Sequence, residues 1–96
     1  MPIGLIFEAP GVTQAQYDQV RNEIHPDNAL PPGMLFHAAG PGETGWRVIE
    51  VWESQETATR YFQETLAQAM RQANIPATVR PQVFPVHNIL QAEHAS

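Results

Sequence analysis

GWRVIEVWES, residues 45–54, is the stretch that decides the fold of this chain. Val, Ile and Trp dominate it, which is typical of a β-strand, and Gly45 marks its start. Because the side chains of a strand alternate between two faces, the stretch divides into two rows, and both are largely apolar. A strand of this kind requires cover on both faces. The rows are Trp46, Val48, Glu50 and Trp52 on one face, and Arg47, Ile49 and Val51 on the other.

Helical patterns follow and precede this strand. Ser54 is a candidate N-cap, and apolar residues recur at helical spacing through residues 55–73, which predicts a long amphipathic helix. Thr13 and Gln16 form a capping-box pattern, which predicts a second helix over residues 14–24.

Three further segments are predicted to be strands. Residues 3–8 and 34–39 are short apolar runs, and the Gly-rich residues 40–45 predict a hairpin turn into the central strand. Residues 82–90 predict a last strand, which Pro85 restricts to an edge of the sheet because proline cannot donate to a ladder. We expect residues 77–81 to form a linker.

The element order β-α-β-β-α-β predicts a ferredoxin-like α+β fold with an antiparallel sheet. Right-handed crossovers give the strand order 4-1-3-2 and place both helices on one face. No sequence is left over to cover the other face, so we expect a second copy of the chain to cover it and form a dimeric α+β barrel. Residues 1–90 are expected to form one domain, and residues 91–96 a frayed tail.

Composition excludes several classes of function. A net charge of −5 without any Lys argues against nucleic acid as a partner, because phosphates require a basic surface. The chain has no Cys, and therefore no disulfide, thiolate nucleophile or thiolate-bound metal. No apolar run reaches the about 20 residues of a membrane span, and the N-terminus lacks the pattern of a signal peptide. We therefore expect a cytoplasmic protein without a membrane partner.

Glu50 is the first candidate for chemistry, because a carboxylate within an apolar row needs a partner, a raised pKa or a wet pocket. If the hairpin pairs Ala39 with Trp46, His37 faces Val48 and lies diagonal to Glu50 on the same face. The two side chains would then form an acid/base pair. A structural ion pair is the alternative, and a register shift of one residue would send His37 to the other face.

His87, in the predicted last strand, is the second candidate for catalysis. Strands two and four lie at opposite edges of the predicted sheet, so His37 and His87 of one subunit are too far apart to bind one metal ion. We therefore expect no metal site. Tyr17 and Tyr61 lie on apolar helix faces and are interpreted as core residues, and His25 as the end of the first helix.

The sequence also resembles a known family. A β-α-β-β-α-β chain whose third strand ends in Val51-Trp52-Glu53-Ser54, followed by a helix carrying Tyr61-Phe62, resembles the antibiotic biosynthesis monooxygenase-like family of the dimeric α+β barrel superfamily. The resemblance covers residues 3–90. It implies homodimers with a cavity between the sheets in each subunit, and activities that include cofactor-free monooxygenases, heme-degrading oxygenases and isomerases.

In the heme-degrading members, the Trp that Trp52 matches faces the pocket and acts with an Asn and a His. Residues 55–73 contain no His and residues 3–8 contain no Asn, so the sequence does not support heme degradation. What carries over is a Trp that faces the cavity. On that interpretation Trp46, Val48 and Trp52 line the cavity and bind the substrate, while Ile49 and Val51 pack under the helices. The alternative is that both Trp residues only pack in the core of the dimer.

These observations lead to two predictions of function. The first is a cofactor-independent monooxygenase, isomerase or cyclase that acts on a flat hydrophobic or aromatic small molecule, with His37 and Glu50 as the acid/base pair. The second is a non-catalytic homodimer that binds a ligand or serves a structural role. An enclosed cavity of about 300 Å³ or more would favour the first, and a cavity filled by side chains would favour the second.

Overall fold

The chain forms a four-stranded antiparallel sheet with a helical layer on one face. The computed structural model describes residues 1–76 and 80–92. The strands are β1 (Ile3–Pro10), β2 (Met34–Pro41), β3 (Gly45–Trp52) and β4 (Gln82–Pro85). The helices are α1 (Gln14–Ile24), α2 (Gln55–Tyr61) and α3 (Ala67–Gln72), with a 3₁₀ turn at Pro26–Asn28 and a π-helical turn at Phe62–Leu66.

Side-chain caps start the helices at the residues that the sequence indicated. The Thr13 hydroxyl accepts a hydrogen bond from the backbone N–H of Gln16, and the Gln16 side chain accepts one from the N–H of Thr13, so the capping box is complete. The Ser54 hydroxyl accepts from the N–H of Thr57. The long helix predicted over residues 55–73 is present, but the π-helical turn divides it into α2 and α3.

The strand order is β2-β3-β1-β4, which confirms the predicted topology. In the ladder between β1 and β3, Ile3 pairs with Trp52 and Leu5 pairs with Glu50. The β4 strand lies at an edge, where the missing N–H of Pro85 costs no ladder bond. Phe84 pairs with Gly4, and a side chain at Gly4 would overlap the Phe84 ring.

The helices cover the face that carries Trp46, Val48, Glu50 and Trp52, which corrects the prediction that this row faces away from them. Trp52 is 1% exposed and packs against Tyr61 of α2, with ring centroids 5.2 Å apart. The physical reason is that the larger row buries more apolar area, and the chain's own helices are available to cover it. A second copy is not needed for this purpose.

The other face of the sheet has no covering layer among the described residues. Ile49 is 40% exposed, whereas it was expected to pack under the helices, and Phe36 and Phe84 are each 44% exposed. Val51 lies on the same face. The prediction that one apolar face stays uncovered within the chain is therefore confirmed, with the identity of the two faces reversed.

β4 is shorter than predicted. It ends at Pro85 instead of continuing to Leu90, so His87 lies outside the sheet and is exposed. The partner strand β1 begins at Ile3, so one more bond continues the pairing, in which the N–H of Val86 donates to the carbonyl of Pro2. Pro2 has no N–H to donate in return. Residues 77–79 of the predicted linker and residues 93–96 of the predicted tail lie outside the described residues.

Within the ranges 1–76 and 80–92, no helix is both long enough and apolar enough to cross a membrane.

Candidate active site

A β-bulge in β2 places His37 on the face that the helices cover. Met34 pairs with Trp52, but the next pairs are Phe36 with Val51 and His37 with Glu50, so Leu35 is an extra residue. Side chains alternate along a regular strand, and Met34 and His37 would then point to opposite faces. The extra residue turns His37 toward the helices, as bulges near functional sites often do.

The register of the hairpin differs from the predicted one by two residues. Ala39 pairs with Val48 and Pro41 with Trp46, because β2 extends two residues beyond the predicted end. A shift of two residues keeps each side chain on its face. His37 therefore lies directly opposite Glu50 instead of diagonal to it.

Four side chains form a continuous hydrogen-bonded chain beneath the helices. The Tyr17 hydroxyl lies 2.7 Å from Nε2 of His37, and Nδ1 of His37 lies 3.0 Å from Oε2 of Glu50. The indole N–H of Trp52 donates to Oε1 of Glu50 over 2.9 Å. Glu50 is 5% exposed, and a buried carboxylate is costly unless it is hydrogen-bonded. Both oxygens of Glu50 have such a partner.

This geometry fixes the direction of each hydrogen bond. A carboxylate only accepts, so Nδ1 of His37 carries a hydrogen and donates to Glu50. In a neutral imidazole the other nitrogen is an acceptor, so Nε2 accepts the hydrogen of the Tyr17 hydroxyl. Glu50 orients His37, and Tyr17 forms the outer end of this hydrogen-bonded chain.

Further aromatic rings pack against Tyr17 and His37 of this hydrogen-bonded series. Tyr17 packs against Trp46 with ring centroids 5.4 Å apart, and His37 packs against His25 at 5.0 Å. Tyr17 and His37 are themselves stacked at 6.1 Å. Trp46, Tyr17, His37 and His25 thus form a row of neighbouring rings, here called the aromatic row, which offers flat surfaces to a planar ligand.

A cavity of about 80 Å³ lies between the sheet, α1 and α3, and every member of the aromatic row lines it. It is smaller than the about 300 Å³ expected for a ligand site. It also lies under the helices of a single chain and not between two sheets, which corrects the location that the resemblance implied. Its other walls are mostly apolar and include Phe7, Val20, Ile24, Val48, Met70 and Ile75.

Burial changes the proton affinity of three side chains at this site. Burial raises the pKa of Tyr17, which the positive charge of Arg21 partly offsets. Burial raises the pKa of Tyr61 to about 12, and the negative charge of Glu50 contributes. Burial also lowers the pKa of His25, and the neighbouring His37 acts in the same direction. All three side chains are therefore held in their neutral forms.

Within residues 1–76 and 80–92, three buried side-chain polar atoms have no hydrogen-bond partner. They are Nε2 of His25, Nε1 of Trp46 and the hydroxyl oxygen of Tyr61. Since buried polar groups are nearly always paired, such atoms in or beside a cavity mark positions for a ligand or water.

The structure brings together four of the six predicted site residues. His37, Glu50, Trp46 and Val48 all line the cavity. Trp52 lies beneath it and holds Glu50 instead of facing a ligand. The sixth, His87, is exposed, lies outside β4 and does not line the cavity.

Sequence reasoning missed Tyr17 and His25 as site residues. Both were interpreted structurally, because a Tyr on an apolar helix face and a His at a helix end are common core and capping residues. No local pattern marks this role for Tyr17, because its contact with His37 joins residues 20 positions apart in the chain. No group of three potential metal-ligating side chains occurs in the described part of the chain.

Comparison with known proteins gives one informative similarity. No protein-family model matches the chain, and no curated protein matches it. Among solved structures, a protein of Deinococcus radiodurans described as a putative antibiotic biosynthesis monooxygenase matches with a TM-score of 0.61 and 12% sequence identity. The match covers 98% of this chain and 100% of that one. The chain therefore has the fold of that protein, a ferredoxin-like α+β fold, which confirms the resemblance inferred from residues 3–90 at the level of fold.

Proposed function

We propose that the cavity under the helices binds a flat hydrophobic small molecule and transfers a proton to or from it. The chain would act as a cofactor-independent monooxygenase, isomerase or cyclase. Glu50 orients His37, His37 acts as the acid/base, and Tyr17 connects His37 to the ligand. A cytoplasmic location stays a prediction from the sequence.

The observation that carries this proposal is the hydrogen-bonded chain Tyr17–His37–Glu50. Its two links are 2.7 Å and 3.0 Å long, and its outer members line a cavity. A carboxylate that fixes the tautomer and the ring orientation of a histidine is the arrangement by which proteins build a general base. Trp52 satisfies the second oxygen of Glu50, so the carboxylate is held in one orientation.

Proton transfer alone is sufficient for this group of reactions. An isomerase or cyclase removes a proton next to a carbonyl group and returns it elsewhere on the same molecule. In a monooxygenase of this kind, removal of a proton from an activated phenol or enol produces an anion that adds dioxygen at carbon and, after protonation, forms a C–O–O–H hydroperoxide. Where that carbon still carries a hydrogen, loss of water breaks the O–O bond and leaves a carbonyl group. A CH2 group and O2 thus give C=O and H2O, and the substrate serves as its own reductant.

The proposal includes a homodimer formed through the uncovered face of the sheet. Leu35, Phe36, Ile49 and Phe84 are each 40–44% exposed on or beside that face. An apolar patch of this kind on a small domain is typical of an interaction surface. The cavity lies on the opposite side of the sheet, so the dimer would stabilise the fold without forming the site.

The test is a screen for proton transfer with matched variants. Wild type is incubated in heavy water with enolisable ketones and hydroxylated aromatics, while NMR follows deuterium incorporation and an electrode follows oxygen consumption. We expect His37→Gln and Glu50→Gln to lose roughly 10²–10⁴-fold in rate on any compound that wild type accelerates. His87→Gln is the control and should retain the wild-type rate. Full activity in His37→Gln would contradict the assignment.

The size of the cavity favours the second candidate function. In that case the chain is a non-catalytic homodimer that binds a ligand or has a structural role. At about 80 Å³, the cavity holds few atoms without movement of its walls. On this reading, wild type binds compounds from the same panel, or none, and accelerates no exchange above the rate in buffer. That result would replace the enzymatic proposal.

A further inference from the structure

We propose that His25 and Trp46 are ligand-binding residues that select compact hydroxy-carbonyl compounds. Nε2 of His25 accepts a hydrogen bond from a hydroxyl group of the ligand, and the indole N–H of Trp46 donates one to a carbonyl oxygen. This inference rests on the proposed use of the cavity and names the substrate class. Its test measures binding and not turnover, so the two proposals can fail separately.

His25 presents a buried acceptor without a partner. The residue is 5% exposed and ends α1, where its backbone N–H donates to the carbonyl of Arg21 over 2.8 Å. Nδ1 lies 3.3 Å from the carbonyl oxygen of Ala29, which only accepts, so Nδ1 carries the hydrogen. Nε2 is then an acceptor, and no group of the structure donates to it. Burial lowers the pKa of His25, which keeps this acceptor available at neutral pH.

Trp46 presents the complementary group. An indole N–H only donates, and that of Trp46 is buried without an acceptor. By contrast, the indole N–H of Trp52 on the same row of β3 is bonded to Glu50. Trp46 and His25 both line the cavity. The residues of the cavity wall therefore include one donor and one acceptor that have no partner among the described residues.

The remaining polar groups of the cavity already have partners. Tyr17 donates to His37, His37 donates to Glu50, and both oxygens of Glu50 accept. A ligand that binds without disrupting this chain can still donate to the Tyr17 oxygen, and it meets two buried groups that have no partner among the described residues. It gains most affinity when it carries both a hydroxyl and a carbonyl, since each unpaired group otherwise remains desolvated.

The size of the cavity restricts the ligand further. Its volume of about 80 Å³ is about half of the 150 Å³ apolar cavity that is known to accept benzene. A compact ligand therefore fits this space better than one built of several fused rings. This narrows the proposed flat hydrophobic substrate to a short-chain hydroxy-carbonyl compound.

Three probes that share a four-carbon skeleton test the inference: 4-hydroxybutan-2-one, butan-2-one and butan-1-ol. Their binding to the full chain is titrated by NMR, with the ring signals of His25 and Trp46 as reporters. We expect 4-hydroxybutan-2-one to bind roughly three- to tenfold tighter than either single-function probe, the effect of one hydrogen bond. Equal binding of all three, or no perturbation of the two rings at the highest soluble concentration, would overturn the proposal.

Two variants then assign each polar group. His25→Phe keeps a ring against His37 and should remove the advantage that the hydroxyl gives over butan-2-one. Trp46→Phe should remove the advantage that the carbonyl gives over butan-1-ol. His87→Phe, at an exposed histidine, is the control and should change neither ratio. If both advantages survive in the two cavity variants, water alone pairs with these atoms and the assignment is wrong.

Discussion

The two faces of the sheet show how similar apolar rows take different roles. The face under the helices carries a buried carboxylate whose two oxygens both have partners, and a cavity lies beside it. The other face carries Glu8 and Arg47, which form an ion pair with both side chains about half exposed. Its centre is formed by apolar side chains that are open to solvent, such as Ile49. One face is covered by the helices and borders a cavity, whereas the apolar centre of the other is open to solvent.

The largest expected effect comes from the buried carboxylate. Glu50→Ala leaves His37 and Trp52 without their acceptor in a dry environment, so we expect a loss of about 3–5 kcal/mol in the free energy of unfolding. Glu8→Ala removes a carboxylate–arginine pair from the other face and should cost at most about 1 kcal/mol. Urea unfolding of both variants measures the contrast. Equal losses of unfolding free energy in the two variants would mean that the buried Glu50 contacts stabilise the fold no more than the exposed Glu8–Arg47 pair.

The next effect concerns the open face. Ile49→Glu places a charge in the centre of the apolar surface, and a homodimer formed there would weaken roughly a hundredfold or more, since the charge would be buried without a partner. Sedimentation velocity at micromolar concentration should show a dimer for wild type and a monomer for the variant. Gln14→Glu, at the exposed start of α1, is the matched control and should remain dimeric. A monomeric wild type would refute the proposed dimer.

A smaller effect is expected at the outer end of the hydrogen-bonded chain. Tyr17→Phe keeps the ring against Trp46 and His37 but removes the hydroxyl that bonds to His37. We expect a loss of about 1 kcal/mol in stability. A substrate identified by the exchange screen should react more slowly, because its proton then has no direct path to His37. Unchanged exchange rates would show that the ligand reaches His37 without Tyr17.

The topology was accessible from the sequence because each element carries its own local signal. Capping residues at Thr13 and Ser54 and proline at position 85 fixed the element order and the edge strand. The face that the helices cover was not accessible, because both rows of β3 are apolar and alternation does not say which row faces inward. The sequence therefore predicted one correct partner for Glu50, His37, but on the wrong side of the sheet, and it did not predict the bond from Trp52.

The bulge explains why the site was only partly predictable. Met34, Leu35 and Phe36 are all apolar, and none of them is a glycine or proline that would indicate an irregular strand. His37 was expected on the same face as Glu50 from a register two residues away from the observed one. Tyr17 was missed because its role depends on how α1 crosses the sheet, which is a long-range packing result.

The smallest expected effect is the pH dependence of stability that His25 contributes. His25 lies on the face that the helices cover. Burial lowers the pKa of His25 in the folded state, so the unfolded chain takes up this proton at a higher pH, near 6.5. Stability is therefore fully present above about pH 6.5 and decreases as the pH falls toward the folded-state value. His37 and Arg21 act in the same direction as burial, while Glu50 and the carbonyl of Ala29 oppose it. His25→Phe should reduce the decrease in the urea midpoint between about pH 7 and 5. The control His87→Phe should show the same decrease as wild type. A wild-type decrease in His25→Phe would show that another group titrates in this pH range.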